Sequence, residues 1–169
     1  MINIHQKTLQ DLEFATVLNQ VSEYCITALG NEAALSISPY KDKETLLFSL
    51  QLTNEYISSF YNDNRIPNHG FDSITKELKL LKIENTFLEP HSLKKLVSIS
   101  LTSNDLIKFF KKFETYYPTL QQFSNKIEVT TDIIDKIDSV VNRFNEVKDD
   151  ASPTLYELRQ QINKLKGKI

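Results

Sequence analysis

Residues 149–169 read DDASPTLYELRQQINKLKGKI, and this stretch contains a strong helix start without a matching helix end. Ser152 offers a hydroxyl to the unpaired N–H groups of a first turn, and Pro153 follows at the position where a missing N–H costs nothing. Asp149 and Asp150 precede them, where the positive end of a helix dipole favours carboxylates. The sequence therefore predicts a helix that starts at Ser152 and Pro153.

Apolar residues recur along this helix at spacings of three and four, which defines a seam. The seam residues are Leu155, Leu158, Ile162, Leu165 and Ile169. A stripe of this heptad type needs a partner helix along its length. Gly167 is the one candidate terminator, and the stripe continues past it, so we expect the chain to be cut inside a longer helix.

The same helix is basic. Its cations are Arg159, Lys164, Lys166 and Lys168, against a single acid, Glu157. Lysine and arginine side chains neutralise phosphates, so these four residues are candidates for contacting nucleic acid. The seam argues first for another helix as the partner of this segment.

Composition indicates the fold class. The chain has only 3 Gly in 169 residues, and its 5 Pro lie where helices tolerate or favour them. We predict an all-α fold: an irregular antiparallel multi-helix core domain over residues 1–150, and over 151–169 the start of a long helix that leaves it. No apolar run approaches the roughly 18 residues needed to span a bilayer, and no signal peptide is recognisable, so we expect a cytoplasmic protein without membrane contact.

Apolar periodicity and capping residues predict the remaining elements. The predicted helices cover 11–26, a short segment capped by Thr27, 42–61 capped by Asp42, 72–81 capped by Asp72, a long segment from Pro90 to Pro118, one turn over 120–123, and a short segment after Thr131. The predicted inner face of the 42–61 helix is formed by Leu46, Leu50, Thr53, Ile57 and Phe60. Residues 138–150 are compatible with a loop or a small hairpin.

Motifs that would carry catalysis are missing from the sequence. The three Gly cannot supply the G-x-x-x-x-G-K-[ST] loop that cradles phosphates. His5, His69 and His91 do not have the spacing of a helical metal pair, and a single Cys excludes an internal disulfide and a cysteine-based zinc site. Cys25 lies on an apolar helix face, which favours an inert thiol. The acidic residues at helical spacing, such as Asp132, Asp135 and Asp138, are interpreted as a solvated face.

A net charge of −2 argues against a globally basic nucleic-acid binder, but local patches need separate consideration. Two Lys clusters qualify: one comprises Lys76, Lys79 and Lys82, and the other, Lys108, Lys111 and Lys112, alternates with aromatic residues from Phe109 to Tyr117. This alternation suits single-stranded nucleic acid. A core-facing aromatic stripe with lysines on the opposite face is the favoured interpretation.

Three segments resemble, in order, the N-terminal part of the second lineage of MutS-like proteins. The first is TLQDLEFATVLNQVSEYCITALGNEAALSISP, the second FDSITKELKLLKIENTFLEPHSL and the third VKDDASPTLYELRQQI. The third carries the most distinctive motif of the family, Asp-x-Ala-Ser-x-x-Leu-x-x-Leu/Ile-Arg, met here by Asp149 or Asp150 and by Ala151, Ser152, Leu155, Leu158 and Arg159. The glycine that often precedes this motif is replaced in NRFNEVKDD, which argues against a tight hairpin there.

The resemblance implies that the chain is the helical core, or lever base, of a larger DNA-binding ATPase. Members of this branch suppress recombination on branched or mismatched DNA or act on stalled ribosomes, and they work as homodimers. ATP and Mg²⁺ would bind outside this chain, as would an endonuclease domain, so we expect neither cofactors nor catalytic residues in these 169 residues. Within the chain, the resemblance implies that the lever helix starts at Ser152. Leu155, Leu158 and Ile162 would dock the beginning of this helix, its root, onto the core.

Two other interpretations remain open. The chain could be a freestanding helical adaptor that binds a partner helix through the 155–169 seam. It could also be a small enzyme with a noncontiguous site, which is disfavoured because no pairing of a nucleophile with a base is suggested.

Overall fold

A computed structural model describes residues 4–167, which form an all-helical fold. Within these residues the helices are α1 (Gln6–Asp11), α2 (Phe14–Glu23), α3 (Ala28–Leu35), α4 (Lys43–Ser58), α5 (Thr75–Leu80), α6 (Pro90–Lys112), α7 (Pro118–Ser124), α8 (Asp132–Val140) and α9 (Pro153–Lys166). The predicted all-α class is confirmed. None of the described helices is long and apolar enough to cross a membrane.

The helices fall into two compact units. The first unit comprises residues 4–73 and 102–128, and the second comprises residues 74–101 and 129–167 of the described chain. One of the three boundaries between these ranges lies within α6, so this helix contributes its first half to the second unit and its second half to the first.

In the first unit, α2 packs against α1 and α3, and α4 packs against α7. Tyr117 is fully buried, and its hydroxyl donates a hydrogen bond to the backbone carbonyl of Asn64. Glu55, on α4, accepts the backbone N–H groups of Thr119 and Leu120 at 2.9 Å each. A carboxylate at that place satisfies free donors at the start of α7, so Glu55 fastens α7 to α4.

Four of the five aromatic residues from Phe109 to Tyr117 are buried or half-buried, as the favoured interpretation of the sequence predicts, and Tyr116 is exposed. Phe110 is buried, and the Phe109 ring lies 4.8 Å from that of Phe113 and 5.7 Å from that of Tyr117. Lys108, Lys111 and Lys112 are exposed. The alternation of lysines and aromatics is thus explained by burial of one helix face.

The second unit has its own apolar core. Leu96 and Val97 of α6 pack with Ile137 of α8 and with Val141, which is 1% exposed. Ile74, Leu88, Leu93, Ile134 and Val140 pack around them. Beside this core, the buried Glu77 accepts from Ser92 Oγ and Lys95 Nζ at 3.4 Å each.

Several predicted helix caps are confirmed. Thr27 accepts the N–H of Gly30 at 3.0 Å, and Asp42 accepts the N–H of Thr45 at 2.8 Å. Pro90 opens α6 as expected. Asp72 was wrongly predicted as a cap, because the residue before α5 is Ile74.

Two helix boundaries also differ from the prediction. The helix expected over 11–26 is broken at Glu13, whose φ of 50° is left-handed, so α1 and α2 are separate and Cys25 lies beyond α2. There the half-buried thiol donates to the carbonyl of Val21 at 3.6 Å. Pro118 opens α7 rather than directly ending α6, which stops at Lys112.

Candidate functional site at the root of the last helix

The helix start predicted at Ser152 and Pro153 is present. Ser152 has extended backbone angles, and its hydroxyl accepts the N–H of Leu155 at 3.2 Å. Pro153 is the first residue of α9. The sequence thus located the origin of this helix, while its function as the start of a lever stays a prediction.

A tight turn precedes the helix and connects it to α8. Val141 and Val147 form an antiparallel bridge, and Lys148 N–H donates to the Val140 carbonyl at 2.8 Å. Inside the turn, the side-chain oxygen of Asn142 accepts two backbone N–H groups, from residues 144 and 146, at 2.8 and 3.0 Å. Asn145 has a φ of 62°. Asparagine tolerates this left-handed conformation, so the hairpin forms although the expected glycine is replaced.

Arg159 anchors the second turn of α9 to this hairpin. Its Nη1 donates to the Val147 carbonyl at 3.0 Å and pairs with the Asp149 carboxylate. Arg159 was predicted from the sequence as a candidate contact to nucleic acid, and this internal role was not predicted. Its spacing of ten residues from Asp149, across a helix start, was the signal available.

Asp138 extends the connection to α6. Lys94 Nζ lies 2.6 Å from its carboxylate, and Lys148 Nζ donates to its backbone carbonyl at 2.6 Å. The expectation that Asp138 belongs to a solvated acidic face is therefore incomplete, because its carboxylate is paired with Lys94. Together, Arg159, Asp149, Lys148, Asp138 and Lys94 form a polar chain, which we call the root network.

The seam of α9 is uncovered along the described part of the helix. Leu158, Ile162 and Leu165 are 51%, 48% and 64% exposed, and only Leu155 is half-buried. Leu158 and Ile162, which were expected to dock the root, are thus about half exposed among the described residues, and their docking stays a prediction. Ile169, the last predicted seam residue, lies outside the described residues.

The basic residues near the end of α9 are also free. Lys164 and Lys166 are exposed and have no ion-pair partner within residues 4–167. Lys168 lies outside the described part of the chain. Of the four residues proposed to contact phosphate, Lys164 and Lys166 thus have no ion-pair partner among the described residues, whereas Arg159 bonds to the hairpin.

Residues suited to metal or nucleotide chemistry are not gathered at this site. Across residues 4–167, no group of three or more His, Cys, Asp or Glu side chains could hold a metal ion. The three glycines lie 40 and 97 residues apart in the sequence and cannot form a phosphate loop. The binding of ATP and Mg²⁺ outside this chain stays a prediction.

The architecture defines a class: an all-helical body whose last helix is fastened at its root and uncovered along its apolar seam. No family model matches the chain. Relatives named Endonuclease MutS2 do match it, with 26% identity over 162 residues in Alkaliphilus oremlandii, over 170 in Caldanaerobacter subterraneus and over 172 in Staphylococcus carnosus. These alignments cover 95%, 100% and 98% of the chain.

The chain spans only about a fifth of the length of these relatives, with 20%, 21% and 22% of each covered. The comparison confirms the resemblance predicted from the sequence and supports its interpretation as a MutS2-like N-terminal region.

Proposed function

We propose that this chain is the non-catalytic helical core and lever base of a larger MutS-like, DNA-binding ATPase. The observation that carries the proposal is the combination of near-complete coverage of this chain with coverage of only about a fifth of its MutS2 relatives. The uncovered seam of α9 supports it, because a helix that continues into an arm needs a partner beyond these residues.

In this proposal the complete protein is a cytoplasmic homodimer. It acts on branched or mismatched DNA, where it suppresses recombination, or on stalled ribosomes. ATP and Mg²⁺ bind in domains outside these 169 residues, as does an endonuclease centre. The relatives are named endonucleases, which supports a nuclease in the complete protein. This chain would transmit movement and would not catalyse a reaction.

The root network supplies a physical mechanism for that contribution. Arg159 joins α9 to the hairpin, and the hairpin enters the second unit's core through the buried Val141. If the start of α9 were mobile, movement of the arm would be absorbed there and would not reach the rest of the second unit. With the root fastened, displacement of α9 is transmitted to α8 and to the first half of α6, through Lys148, Asp138 and Lys94.

A freestanding adaptor is the second candidate, and the exposed seam at Leu158, Ile162 and Leu165 favours it equally. The native reading frame downstream of Ile169 separates the two. A continuing heptad helix followed by a G-x-x-x-x-G-K-[ST] loop supports the lever base. A stop codon soon after Ile169 makes the adaptor the better proposal.

The seam itself can be tested by a matched pair of substitutions, Leu158→Asp on the seam and Tyr156→Asp off it. The two side chains are 51% and 49% exposed. In the 169-residue chain, neither should change the unfolding free energy by more than about 0.5 kcal/mol. In the complete protein, Leu158→Asp should lower the melting temperature and weaken the coupling of DNA binding to ATP hydrolysis, and Tyr156→Asp should not. Equal effects of the two in the complete protein would contradict a partner on the seam.

A further inference from the structure

A small aromatic pocket lies in the first unit, away from α9. It has a volume of about 180 Å³ and is lined by the rings of Tyr56, Phe60 and His69 and by Arg65. The Tyr56 ring meets Phe60 edge-on at 5.4 Å and His69 edge-on at 5.7 Å. Three rings thus converge where the end of α4 meets the following loop, over residues 65–69.

Hydrogen bonds hold this loop in place without a ligand. His69 Nδ1 lies 2.9 Å from the Pro67 carbonyl, which can only accept, so Nδ1 carries the proton in the neutral ring. His69 Nε2 then accepts from the Tyr56 hydroxyl at 3.3 Å. The buried Tyr117 fixes the Asn64 carbonyl at the start of the loop. Because the loop is already ordered, binding of a ligand costs the protein little conformational entropy, and this favours affinity.

Arg65 and Phe60 are the groups left available in the pocket. Arg65 is exposed and has no hydrogen bond or ion pair with any other described residue. Phe60, two residues beyond the end of α4, is 59% exposed, although the sequence places it on the buried face of the predicted 42–61 helix. Folding of the first unit therefore leaves both side chains mostly accessible, although Phe60 meets the edge of Tyr56.

We propose that this pocket binds one unpaired nucleobase, stacked on Phe60, with Arg65 on the adjoining phosphate. A volume of about 180 Å³ is below that of pockets for drug-sized ligands and suits a single ring system. Aromatic rings stack on bases of any sequence, and a guanidinium pairs with phosphate through a planar fork. A base inside a duplex cannot enter, because it is stacked and paired. The source is therefore a single strand or a free nucleotide.

Fluorescence anisotropy of the 169-residue chain tests the proposal with labelled single strands of about eight nucleotides, as DNA and as RNA. Phe60→Ala should weaken binding by roughly 5- to 150-fold, and Phe60→Tyr should restore most of it. Arg65→Ala should reduce the salt dependence by about one phosphate contact. Competition by a duplex of the same sequence should be weak. Competition by AMP and UMP at similar concentration to the strand would support the pocket and assign it to free nucleotides.

The second unit offers a matched control, because Phe144 is exposed and the guanidinium of Arg143 lies 4.7 Å from its ring centre. Phe144→Ala should leave binding unchanged. The proposal is overturned if Phe60→Ala and Phe144→Ala have equal effects, or if neither strands nor nucleotides bind. These variants lie outside α9, so the outcome is independent of the proposed lever function. Melting curves of each variant verify folding.

Discussion

Two adjacent tyrosines, Tyr116 and Tyr117, differ completely in environment, and this difference gives a residue-scale prediction. Tyr117 is 0% exposed with its hydroxyl bonded to the Asn64 carbonyl, whereas Tyr116 is 55% exposed. Tyr117→Phe leaves the Asn64 carbonyl without this donor, so it should lower the unfolding free energy by about 1–2 kcal/mol. Tyr116→Phe should change it by less than about 0.5 kcal/mol. Urea denaturation measures both, and equal midpoints for the two variants would contradict the assignment.

Residue-scale contacts divide into those that the sequence reveals and those that it hides. The caps at Thr27, Asp42 and Ser152 were predictable because a cap acts on N–H groups within three residues. Glu55 was not, because the N–H groups it accepts are 64 and 65 residues away. Arg159 shows the same limit: its positive charge was evident, but its pairing with Asp149 depends on how the hairpin turns.

At the scale of elements, α4 shows why a correct helix can be assigned the wrong face. Its sequence contains two apolar stripes, and the predicted one is exposed at Leu50 and Ile57, and at Phe60 just beyond the helix, with only Leu46 half-buried. The inner face instead contains half-buried Phe48, Leu52 and Glu55, and it continues into the buried Ser59 that follows the helix. A polar residue marks this face because Glu55 caps α7. Apolar periodicity alone favours the more apolar stripe, because it carries no information about the contact of Glu55 with the start of α7.

The last helix, α9, gives an element-scale prediction. It has 14 residues and no buried residue, so its helicity depends on its cap and on the Arg159 anchor rather than on packing. Ser152→Ala should destabilise α9 locally by about 1 kcal/mol. Hydrogen exchange should therefore accelerate in α9, with little change in α6, and the urea midpoint should stay nearly constant.

Thr154→Ala is the control for this prediction, because Thr154 is exposed in the same turn and is not the cap residue. Its exchange rates should match those of the native chain or be slightly slower, since Ala has the higher helix propensity. Faster exchange throughout α6 and α8 after Ser152→Ala would mean that α9 supports the second unit more widely than its exposure indicates.

For the molecule as a whole, composition was a sufficient guide to the all-α class, because few glycines and well-placed prolines leave little alternative to helices. The two compact units could not be predicted. The chain passes from one unit to the other at three places, and one of them, between residues 101 and 102, falls inside α6, where the helix continues without interruption. Burial by long-range contacts, rather than a break in the local pattern, distinguishes the two halves of this helix.

Acid stability is the prediction at this scale, since one carboxylate in each unit has a lowered pKa. The backbone N–H of Thr45 holds the pKa of Asp42 below its ordinary value of 3.8. For Glu77, a hydrogen bond from its own backbone N–H is the main cause of a pKa below the ordinary 4.5, and the ammonium group of Lys95 adds to it. A pKa lowered by folding means that the ionised form stabilises the native state. This stabilisation is complete above the ordinary values and is lost as the pH falls through the lowered ones.

Asp42→Asn separates this effect from general acid denaturation, because asparagine caps a helix about as well as aspartate but does not titrate. The native chain should lose unfolding free energy more steeply than the variant as the pH falls below about 4. The two curves should converge at the lowest pH, where protonated Asp42 and Asn are both neutral. Urea denaturation across pH measures the difference. Parallel curves at all pH values would show that the ionised Asp42 contributes nothing to stability through its contact with Thr45, and the same comparison with Glu77→Gln examines the second unit.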